Sequence, residues 1–469
     1  MTKKFVILFI LINFRNGLMA DQIISRSIAK ITQSIAESFI KHPIITSTTF
    51  VISNALAAGV KLITKVPYAV SRALGPIKLS SQYSNTNVVD SVDKFMADFK
   101  TGKTNEDATM SIDDILRKYG YSVEKHEATT EDGFLLTMFR IPSNGSAVFL
   151  MHGLLGSADD YIVAGPGNAL AYLLADQGYD VWMGNARGCK HSRRHTSLQP
   201  SSAAFWDFSW HEIGIYDLPA MIDYVLAKRN TKTLKYVGFS QGTTSFFVMT
   251  SEKPEYNAKI SVMVALSPVA FMSNVVSPVI RLLAPGTSIL HGASQMFGLY
   301  EFLPDSRTIN TIKWQLCGTG PLASILCSNI LFLIAGFDFG QLNVTNLPVI
   351  FGHMPAGASV KQLAHYGQGL ISRDFRKFDY GSDENVKRYG VKVPPSYALD
   401  KIVAPVCLLY SDADWLAHTT DVEQLSKKLN NVVDKYKIPY EQFNHFDFIY
   451  AKNVKSLVYK RLLKDFLEL

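Results

Sequence analysis

A serine set between two glycines is the first feature of this sequence that could carry chemistry. It is Ser240, in the pentapeptide Gly238-Phe239-Ser240-Gln241-Gly242. When such a G-x-S-x-G sequence joins a strand to a helix, the chain makes a tight, strained turn that presents the serine hydroxyl as a nucleophile. The pattern arises by chance in about one chain in six of this length. Partner residues elsewhere must therefore support the interpretation.

Two candidate partners follow the serine in the chain, first an acid and then a histidine. Asp414 comes after the apolar run Val406–Tyr410, and His445 comes after a second predicted strand at 440–443. Serine, acid and histidine in this order is typical of α/β-hydrolase triads, in which the histidine takes the proton of the serine and the acid orients the histidine. Asp412 is a minor alternative for the acid.

A glycine-rich loop at 152–157 could supply the groups that stabilise a negatively charged oxygen. It directly follows the predicted strand Ala147–Met151. In α/β hydrolases one amide of such a loop and the amide of the residue after the nucleophile form the oxyanion hole. Leu154 and Gln241 are therefore the predicted donors, each lowering the barrier by about 2.7–4 kcal/mol. His152, at the start of the loop, is interpreted as a structural residue rather than a base.

The elements that must hold these residues alternate between strand and helix. Strands are predicted at 234–237 and Asp180–Met183, and helices at 217–226 and 243–249. This alternation indicates an α/β fold with a mostly parallel central sheet. Ligands of such sheets bind in the loops after the carboxyl ends of the strands, which is where the candidate residues lie.

Composition places the chain among ordinary globular proteins. Of its 469 residues, 47% are hydrophobic and 19% are charged, which is enough apolar material for a large core. The net charge of +7 is spread along the chain without basic tracts, so nucleic acid is not an expected partner. Spacing typical of metal ligands is absent from the sequence, and serine chemistry of this kind requires no metal or organic cofactor.

The first 20 residues indicate entry into the secretory route. Lys3 and Lys4 precede an apolar run at 5–14, and the segment ends in Leu18-Met19-Ala20. A basic start, an apolar middle and a small residue at the end are typical of a signal peptide, here cleaved after Ala20. The apolar run is shorter than the ~20 residues that a membrane-spanning helix requires.

Two further features agree with secretion. Asn144 and Asn343 begin N-x-[S/T] sequences, which are acceptors for glycosylation. Cys317 and Cys327 are close enough in the sequence to close a small disulfide loop in an oxidising compartment. The other two cysteines are interpreted as isolated thiols: Cys189 and Cys407.

Residues 21–105 differ in composition from the rest of the chain. Basic residues outnumber acidic ones up to about residue 80, and a polar stretch that resembles a linker follows. Apolar residues repeat at helical spacing in the first part: Ile24, Ile28, Ile31, Ile35 and Phe39. Such a stripe with a partly basic opposite side could lie on a lipid surface. A helical extension or propeptide packed on the main domain is an equally good interpretation.

Eight motifs between residues 107 and 469 carry a resemblance to a known family. They are TTEDGFLLTMFRIP, HGLLGS, DVWMGNARG, FWDFSWHEIGIYDLPAMIDY, VGFSQG, LCSNILFLIAGFD, MPAGAS and NHFDF. Together they are similar to the animal acid lipase family, which includes gastric and lysosomal acid lipases, over nearly all of this region. The long basic extension before it is not part of the family's core pattern.

The resemblance implies the same site that the residues suggest. It implies Ser240 as the nucleophile, Asp414 as the acid and His445 as the base. It also implies Leu154 and Gln241 as the donors of the oxyanion hole. The family's acid position fits the sequence Asp-Trp-Leu that begins at Asp414 better than the neighbouring acid two residues earlier.

The resemblance also implies how the chain is divided. Residues 106–269 and 400–469 would form an α/β-hydrolase core, and residues 270–399 an inserted, mainly helical cap or lid. The signal peptide at 1–20 and the extension at 21–105 would precede this domain.

The substrate class that the resemblance implies is a neutral lipid ester, either triacylglycerol or cholesteryl ester, hydrolysed by a secreted enzyme with the lysosome as the alternative location. Contact with a lipid interface is expected through the cap and the N-terminal extension. Two other functions stay open: a short-chain carboxylesterase of the same fold, and a non-enzymatic lipid-binding protein on a hydrolase scaffold. The intact triad argues against the second of these.

Overall fold

The computed structural model describes residues 105–284, 298–303, 334–338 and 340–467, together with residues 292 and 296. The candidate catalytic and oxyanion residues all lie within this part of the chain. The predicted signal peptide, residues 21–104 of the extension, and the predicted pair Cys317 and Cys327 lie outside the described residues.

One large sheet organises the described residues. Its nine strands run from one edge to the other in the order β1 (Glu124–Thr129), β2 (Phe134–Ile141), β4 (Asp180–Met183), β3 (Ala147–Met151), β6 (Leu234–Phe239), β7 (Ile260–Leu266), β10 (Val406–Tyr410) and β11 (Val432–Lys437), with β5 (Arg194–His195) paired to β2. Strand β2 is antiparallel to β1, β4 and β5, and the other neighbouring pairs are parallel. The predicted α/β class with a mostly parallel sheet is confirmed.

Helices separate the strands along the chain. In order they are α1 (Ile112–Lys118), α2 (Leu170–Asp176), α3 (Trp210–Glu212), α4 (Leu218–Arg229), α5 (Gln241–Glu252), α6 (Pro278–Leu283), α7 (Leu347–His353), α8 (Val360–Ser372), α9 (Ser382–Tyr389), α10 (Thr419–Lys428) and α11 (Asp447–Tyr450). Helical turns of the π type lie at Ile213–Asp217, Lys455–Tyr459 and Leu462–Phe466.

The segment between β7 and β10 contains helices α6 to α9 and a separate antiparallel pair of short strands, β8 (Glu301–Phe302) and β9 (Ala358–Ser359). These helices and short strands fall within residues 270–399, for which the resemblance implies a cap. None of the helices in the described part of the chain combines the length and apolar character that crossing a membrane requires.

The central strands are buried on both faces, which is why they read as continuous apolar runs. In β3, Phe149 packs into one cluster of buried side chains while its neighbours Val148 and Leu150 pack into another. In β10, Leu408 packs into the first of these clusters and Leu409 into the second. Successive side chains of a strand point to opposite faces, so these strands separate two hydrophobic cores. The carboxyl ends of the strands are thereby held rigidly for the loops that follow.

Most of the predicted elements are confirmed, and one is wrong. Strands β3, β4 and β10 have the predicted bounds, and helix α4 begins one residue after its predicted start at 217. The strand predicted at 440–443 is wrong, because the strand before His445 is β11 and residues 440–443 form a turn, in which the Phe443 amide donates to the Tyr440 carbonyl. Strand β11 lies at the edge of the sheet and carries three charged residues among its six, so it does not stand out as an apolar run.

Candidate active site

The turn between β6 and α5 places Ser240 in a strained backbone conformation. Its φ is 50° and its ψ is −114°, a region that side chains with a Cβ seldom adopt. The Ser240 amide donates to the Leu266 carbonyl at 3.0 Å, and its carbonyl accepts from the amides of Thr243 and Thr244. These bonds hold the residue between a buried strand and the first turn of a buried helix. The predicted nucleophile turn is therefore present at this serine.

The two flanking glycines are required by close packing. A Cβ added to Gly242 would lie 2.2 Å from the Met151 carbonyl oxygen, and one added to Gly238 would lie 2.9 Å from the backbone of Gly242. Both distances are far below van der Waals contact. The helix can therefore approach strands β3 and β6 only because these positions have no side chain.

Replacing Gly242 by alanine should destabilise the fold. The new methyl group meets backbone atoms that cannot rotate away, and overpacking of this kind costs about 1–3 kcal/mol of unfolding free energy. Gly369 in α8 provides the matched control, because a Cβ there would meet its nearest atom at 3.9 Å. Alanine at Gly369 should be neutral or stabilise by about 0.5–1 kcal/mol, as expected for a helix interior. Urea unfolding of both variants measures the difference, and equal effects would contradict the packing argument.

The structure brings Ser240, His445 and Asp414 together in one hydrogen-bonded chain. The Oγ atom of Ser240 lies 2.8 Å from Nε2 of His445. On the other side of the ring, Nδ1 lies 3.0 Å from each carboxylate oxygen of Asp414. Only 2% of His445 and 1% of Asp414 are exposed. Buried contacts of this kind fix the orientation of the imidazole between the two other groups.

Asp414 is held as an anion by its surroundings. Its Oδ1 atom accepts hydrogen bonds from the amides of Leu416 at 2.9 Å and Ala417 at 2.8 Å. Burial alone would raise the pKa of Asp414, but the attraction of His445 and hydrogen bonds from His445, Ser267 and Ala417 outweigh it and hold the pKa below its ordinary value. The carboxylate is therefore charged at neutral pH and at moderately acidic pH.

The alternative acid, Asp412, is not part of this arrangement. Its side chain is 48% exposed and forms an ion pair with Lys437 at 2.6 Å. Residues 412 and 414 both follow β10, but it is Asp414 whose carboxylate contacts the imidazole. The geometry therefore favours the residue that the sequence ranks first.

A short turn before α11 carries His445. The Asn444 amide donates to Oδ2 of Asp447 at 2.7 Å, and Oδ1 of Asn444 accepts from the Phe446 amide at 2.8 Å. The ring of His445 lies 5.1 Å from the ring of Phe239, between centroids. Hydrogen bonds of the residues before and after His445 therefore hold the turn, which explains how a loop residue can have a fixed orientation.

The predicted oxyanion loop lies against Ser240. A Cβ added to Gly153 would lie 3.2 Å from Cβ of Ser240, so the loop backbone is in contact with the serine. The Gly156 amide donates to the Gly153 carbonyl at 3.1 Å, and Leu155 has a φ of 63°. Leu154 and Leu155 are therefore the central residues of a tight turn with a left-handed second position. Gln241 is the first residue of α5, where amides lack carbonyl partners within the helix.

His152 serves the loop rather than the chemistry. Its Nδ1 lies 2.7 Å from the Gly153 carbonyl, and its Nε2 accepts from the Ala186 amide at 3.1 Å. Burial lowers the pKa of His152 to about 4, so the ring is neutral. Both nitrogens are occupied by backbone groups, which agrees with the structural interpretation.

Two contacts from the predicted cap reach the candidate oxyanion loop and the candidate donor Gln241, and sequence reasoning missed both. The Ala356 amide donates to the Leu155 carbonyl at 2.7 Å. Nε2 of Gln362, in the first turn of α8, donates to Oε1 of Gln241 at 3.0 Å. A capping box at Ser359 orients Gln362, because its Oε1 atom accepts from the Ser359 amide at 2.8 Å. No local pattern in the sequence signals contacts between residues so far apart in the chain.

A buried carboxylate, that of Asp159, connects the loop at 152–157 to neighbouring segments of the chain. Asp159, just after the loop, binds three basic side chains: Lys190 at 2.5 Å, His191 at 2.7 Å and His353 at 2.6 Å. Burial alone would raise the pKa of Asp159, but the attraction of Lys190 and His191 and the hydrogen bonds of the histidines lower it well below its ordinary value. The charged cluster ties the loop to the segment after β4 and to α7.

The remaining predicted sites occupy separate places. Asn144 is exposed in the turn before β3, and Asn343 is partly buried with its Oδ1 accepting from the Thr345 hydroxyl at 2.7 Å. Cys189 and Cys407 are buried free thiols, and burial raises the pKa of each to about 12. Among the described residues, no group of three or more histidine, cysteine, aspartate or glutamate side chains is placed to hold a metal ion.

Comparison with known proteins identifies relatives over most of the chain. A family model described as a partial alpha/beta-hydrolase lipase region matches residues 112–165, and a model of the alpha/beta hydrolase fold matches residues 146–287. Lipase 1 of Drosophila melanogaster is 43% identical over 76% of this chain and 80% of its own length. Lipase 3 of the same organism is 44% identical over 74% and 90%. Rat gastric triacylglycerol lipase is 38% identical over 78% and 93%.

Proposed function

Because this chain belongs to the α/β-hydrolase lipase family that includes gastric triacylglycerol lipase, we propose that it hydrolyses the carboxylic ester bonds of neutral lipids. The substrate would be triacylglycerol or cholesteryl ester, and the reaction would pass through an acyl-enzyme on Ser240. The observation that carries this proposal is the buried chain of hydrogen bonds from Ser240 through His445 to Asp414.

The first half of the proposed reaction acylates the serine. Nε2 of His445 takes the proton of the Ser240 hydroxyl as Oγ attacks the ester carbonyl carbon. Asp414 holds Nδ1–H and stabilises the positive charge that forms on the ring. Nε2 then gives its proton to the departing alcohol, and the acyl group remains on Oγ. In the second half, water attacks the acyl carbon while His445 again takes and returns a proton.

The negative oxygen of each tetrahedral intermediate requires donors on the other side of the acyl carbon. The amides of Leu154 and Gln241 are the proposed donors, since the loop of Leu154 contacts Ser240 and Gln241 begins α5. Such donors act strongly only when they are fixed before the reaction. The bonds from Ala356 and Gln362 supply that rigidity.

Exposed apolar side chains support action at a lipid interface. Three of them lie close together in the sequence of the predicted cap, and their exposed fractions are 82% for Met296, 58% for Leu299 and 38% for Leu303. A contiguous exposed apolar patch is suited to contact with a lipid surface, and these three side chains would contribute to one. The proposed cap at 270–399 would then act as the part of the enzyme that meets the emulsion.

The test of the proposed function is the rate of hydrolysis against acyl-chain length and against substrate state. Glycerol esters with short and long acyl chains are assayed below and above their solubility limits. A lipase should show its highest rates on long-chain emulsions and a rise in rate where the interface forms. A short-chain carboxylesterase would saturate on dissolved substrate. Binding of lipid by the intact protein without any turnover would instead support the scaffold alternative and refute catalysis.

The route through the cell is part of the proposal. The signal peptide at 1–20, glycans at Asn144 and Asn343, and a disulfide between Cys317 and Cys327 would all fit a secreted enzyme, with the lysosome as the alternative destination. The exposed position of Asn144 supports its use as an acceptor, because glycosylation requires an accessible side chain.

A further inference from the structure

A second serine lies inside the catalytic arrangement. Ser267 directly follows β7, has a φ of 52° and is fully buried. Its amide donates to the Leu409 carbonyl at 2.9 Å, which fixes it beside the end of β10. Its Oγ atom lies 2.5 Å from Oδ2 of Asp414 and 2.6 Å from Nδ1 of His445. The hydroxyl is therefore in contact with the acid and the base at once.

We propose that Ser267 is a positioning residue for ester hydrolysis. Its hydroxyl group fixes the position of the Asp414 carboxylate relative to the imidazole of His445. This inference rests on the proposed function. It adds a fourth residue to the arrangement, one that acts on the acid and base and does not touch the substrate.

The direction of the hydrogen bonds follows from the chemistry of the ring. To take the proton of Ser240, Nε2 of His445 must be unprotonated, so the neutral ring carries its hydrogen on Nδ1. The one Nδ1–H hydrogen is then shared between the Asp414 carboxylate at 3.0 Å and Oγ of Ser267 at 2.6 Å, both of which are acceptors. The hydroxyl hydrogen of Ser267 remains available for Oδ2 of Asp414 at 2.5 Å. The serine thus favours the required tautomer of His445 and donates to the carboxylate.

The carboxylate of Asp414 has few other donors on that side. Oδ1 accepts from the amides of Leu416 and Ala417, whereas the described bonds to Oδ2 come from Ser267 and His445. A buried carboxylate oxygen that loses a donor is left poorly solvated. Without the Ser267 hydroxyl, Asp414 should accept a proton more readily and should orient the imidazole less well.

Ser267 is not a substitute nucleophile. Its Oγ contacts Nδ1, on the opposite side of the imidazole from the Nε2 atom that contacts Ser240. Its side chain is fully buried, so an ester carbonyl would have to displace the acid to reach it. The position supports a role through the two neighbouring groups alone.

Other ionisable groups face this arrangement and must be considered in any pH dependence. Asp447, from the start of α11, and Asp338, from the segment before α7, are both buried. Burial raises the pKa of Asp338 to about 6, and burial together with repulsion from Asp338 raises the pKa of Asp447 well above its ordinary range. Both groups are present in every variant, so a comparison of variants isolates the hydroxyl.

The test compares Ser267→Ala and Ser267→Cys with the unchanged protein. Cysteine keeps most of the volume but forms weak hydrogen bonds, which separates packing from hydrogen bonding. Ser411→Ala is the matched control, because Ser411 is a buried serine after β10 whose hydroxyl has no hydrogen-bond partner among the described residues. Steady-state kinetics on a soluble short-chain ester are measured from acidic to alkaline pH for all four proteins.

Both Ser267 variants should lower kcat by about 10- to 100-fold with little change in KM, the size expected for loss of a hydrogen bond to a charged group. The acid limb of the kcat/KM profile should also shift, because the Ser267 hydroxyl contacts both His445, whose protonation removes the base, and the carboxylate that orients it. The low-field proton resonance of the His445–Asp414 hydrogen bond should also shift. Ser411→Ala should leave all three readouts unchanged.

The outcomes separate this inference from the function on which it rests. An unchanged protein with no esterase activity would refute the proposed function itself. If the unchanged protein is active and the Ser267 variants keep its kcat, acid limb and proton resonance, Ser267 has no positioning role. A fall in kcat with the acid limb and the resonance both unchanged would show a purely structural role and would equally overturn the inference.

Discussion

Replacing Ser240 by alanine is expected to abolish ester hydrolysis while leaving the fold intact. The side chain contributes the nucleophilic oxygen, and its neighbours His445 and Asp414 have no other group to activate. In serine hydrolases loss of the nucleophile lowers kcat by about 10⁶-fold. Oγ contacts Nε2 of His445, so its removal takes away one hydrogen bond and no core packing. The midpoint of thermal unfolding should therefore stay within a few degrees of the original.

The measurement is kcat on a soluble ester, with labelling by a fluorophosphonate followed by peptide mapping. The unchanged protein should carry the label on the peptide that contains Ser240, and the variant should carry none. Retention of more than a small fraction of activity, or a label on another serine, would remove Ser240 from the mechanism. Loss of activity with a large fall in unfolding temperature would show damage to the turn instead.

Replacing Asp414 by asparagine is expected to lower kcat by about 10⁴-fold. An asparagine amide can present its NH₂ group to Nδ1 and so favour the tautomer whose hydrogen lies on Nε2, which cannot accept the serine proton. It also removes the negative charge that stabilises the protonated imidazole. The two backbone amides of Leu416 and Ala417 can still bind the side-chain oxygen, so the loop should keep its conformation.

Asp412→Asn provides the matched control, since it makes the same chemical change two residues earlier. Asp412 is half exposed and bound to Lys437, and exposed ion pairs contribute little to stability. Its substitution should leave kcat within about twofold. A severe loss in Asp412→Asn with normal activity in Asp414→Asn would reverse the assignment of the acid.

The sequence was sufficient for the parts of the fold whose signals are local. Strands β3, β4 and β10 are buried on both faces, so each appears as an apolar run with clear ends. Strand β11 was not predicted, because it lies at the sheet edge and its residues are alternately partly buried and exposed. The sequence prediction places the strand at 440–443 instead, where Tyr440 and Phe443 flank two polar residues and the chain forms a turn. The predicted chain order of serine, acid and histidine is unaffected, because a strand still precedes His445.

The parts of the site that the sequence did not predict depend on contacts between distant residues. Ser267 follows a buried strand at the correct edge of the sheet, which is a signal that could have singled it out. Gln362 and Ala356 have no comparable signal, because their partners Gln241 and Leu155 lie in a different part of the chain. The positive φ of Leu155 is equally invisible, since glycine or asparagine is the residue expected at such a position.

The two buried thiols allow local opening of the fold to be measured by alkylation. A thiol reacts with alkylating reagents as the thiolate, and the raised pKa values of Cys189 and Cys407 leave almost none at neutral pH. Alkylation therefore requires each site to open to solvent first. Cys407 lies in β10, next to the strand before Ser267, and Cys189 lies in the loop after β4. Their separate modification rates would report the free energies of opening of one strand of the sheet and of the loop after another strand, with no introduced cysteine.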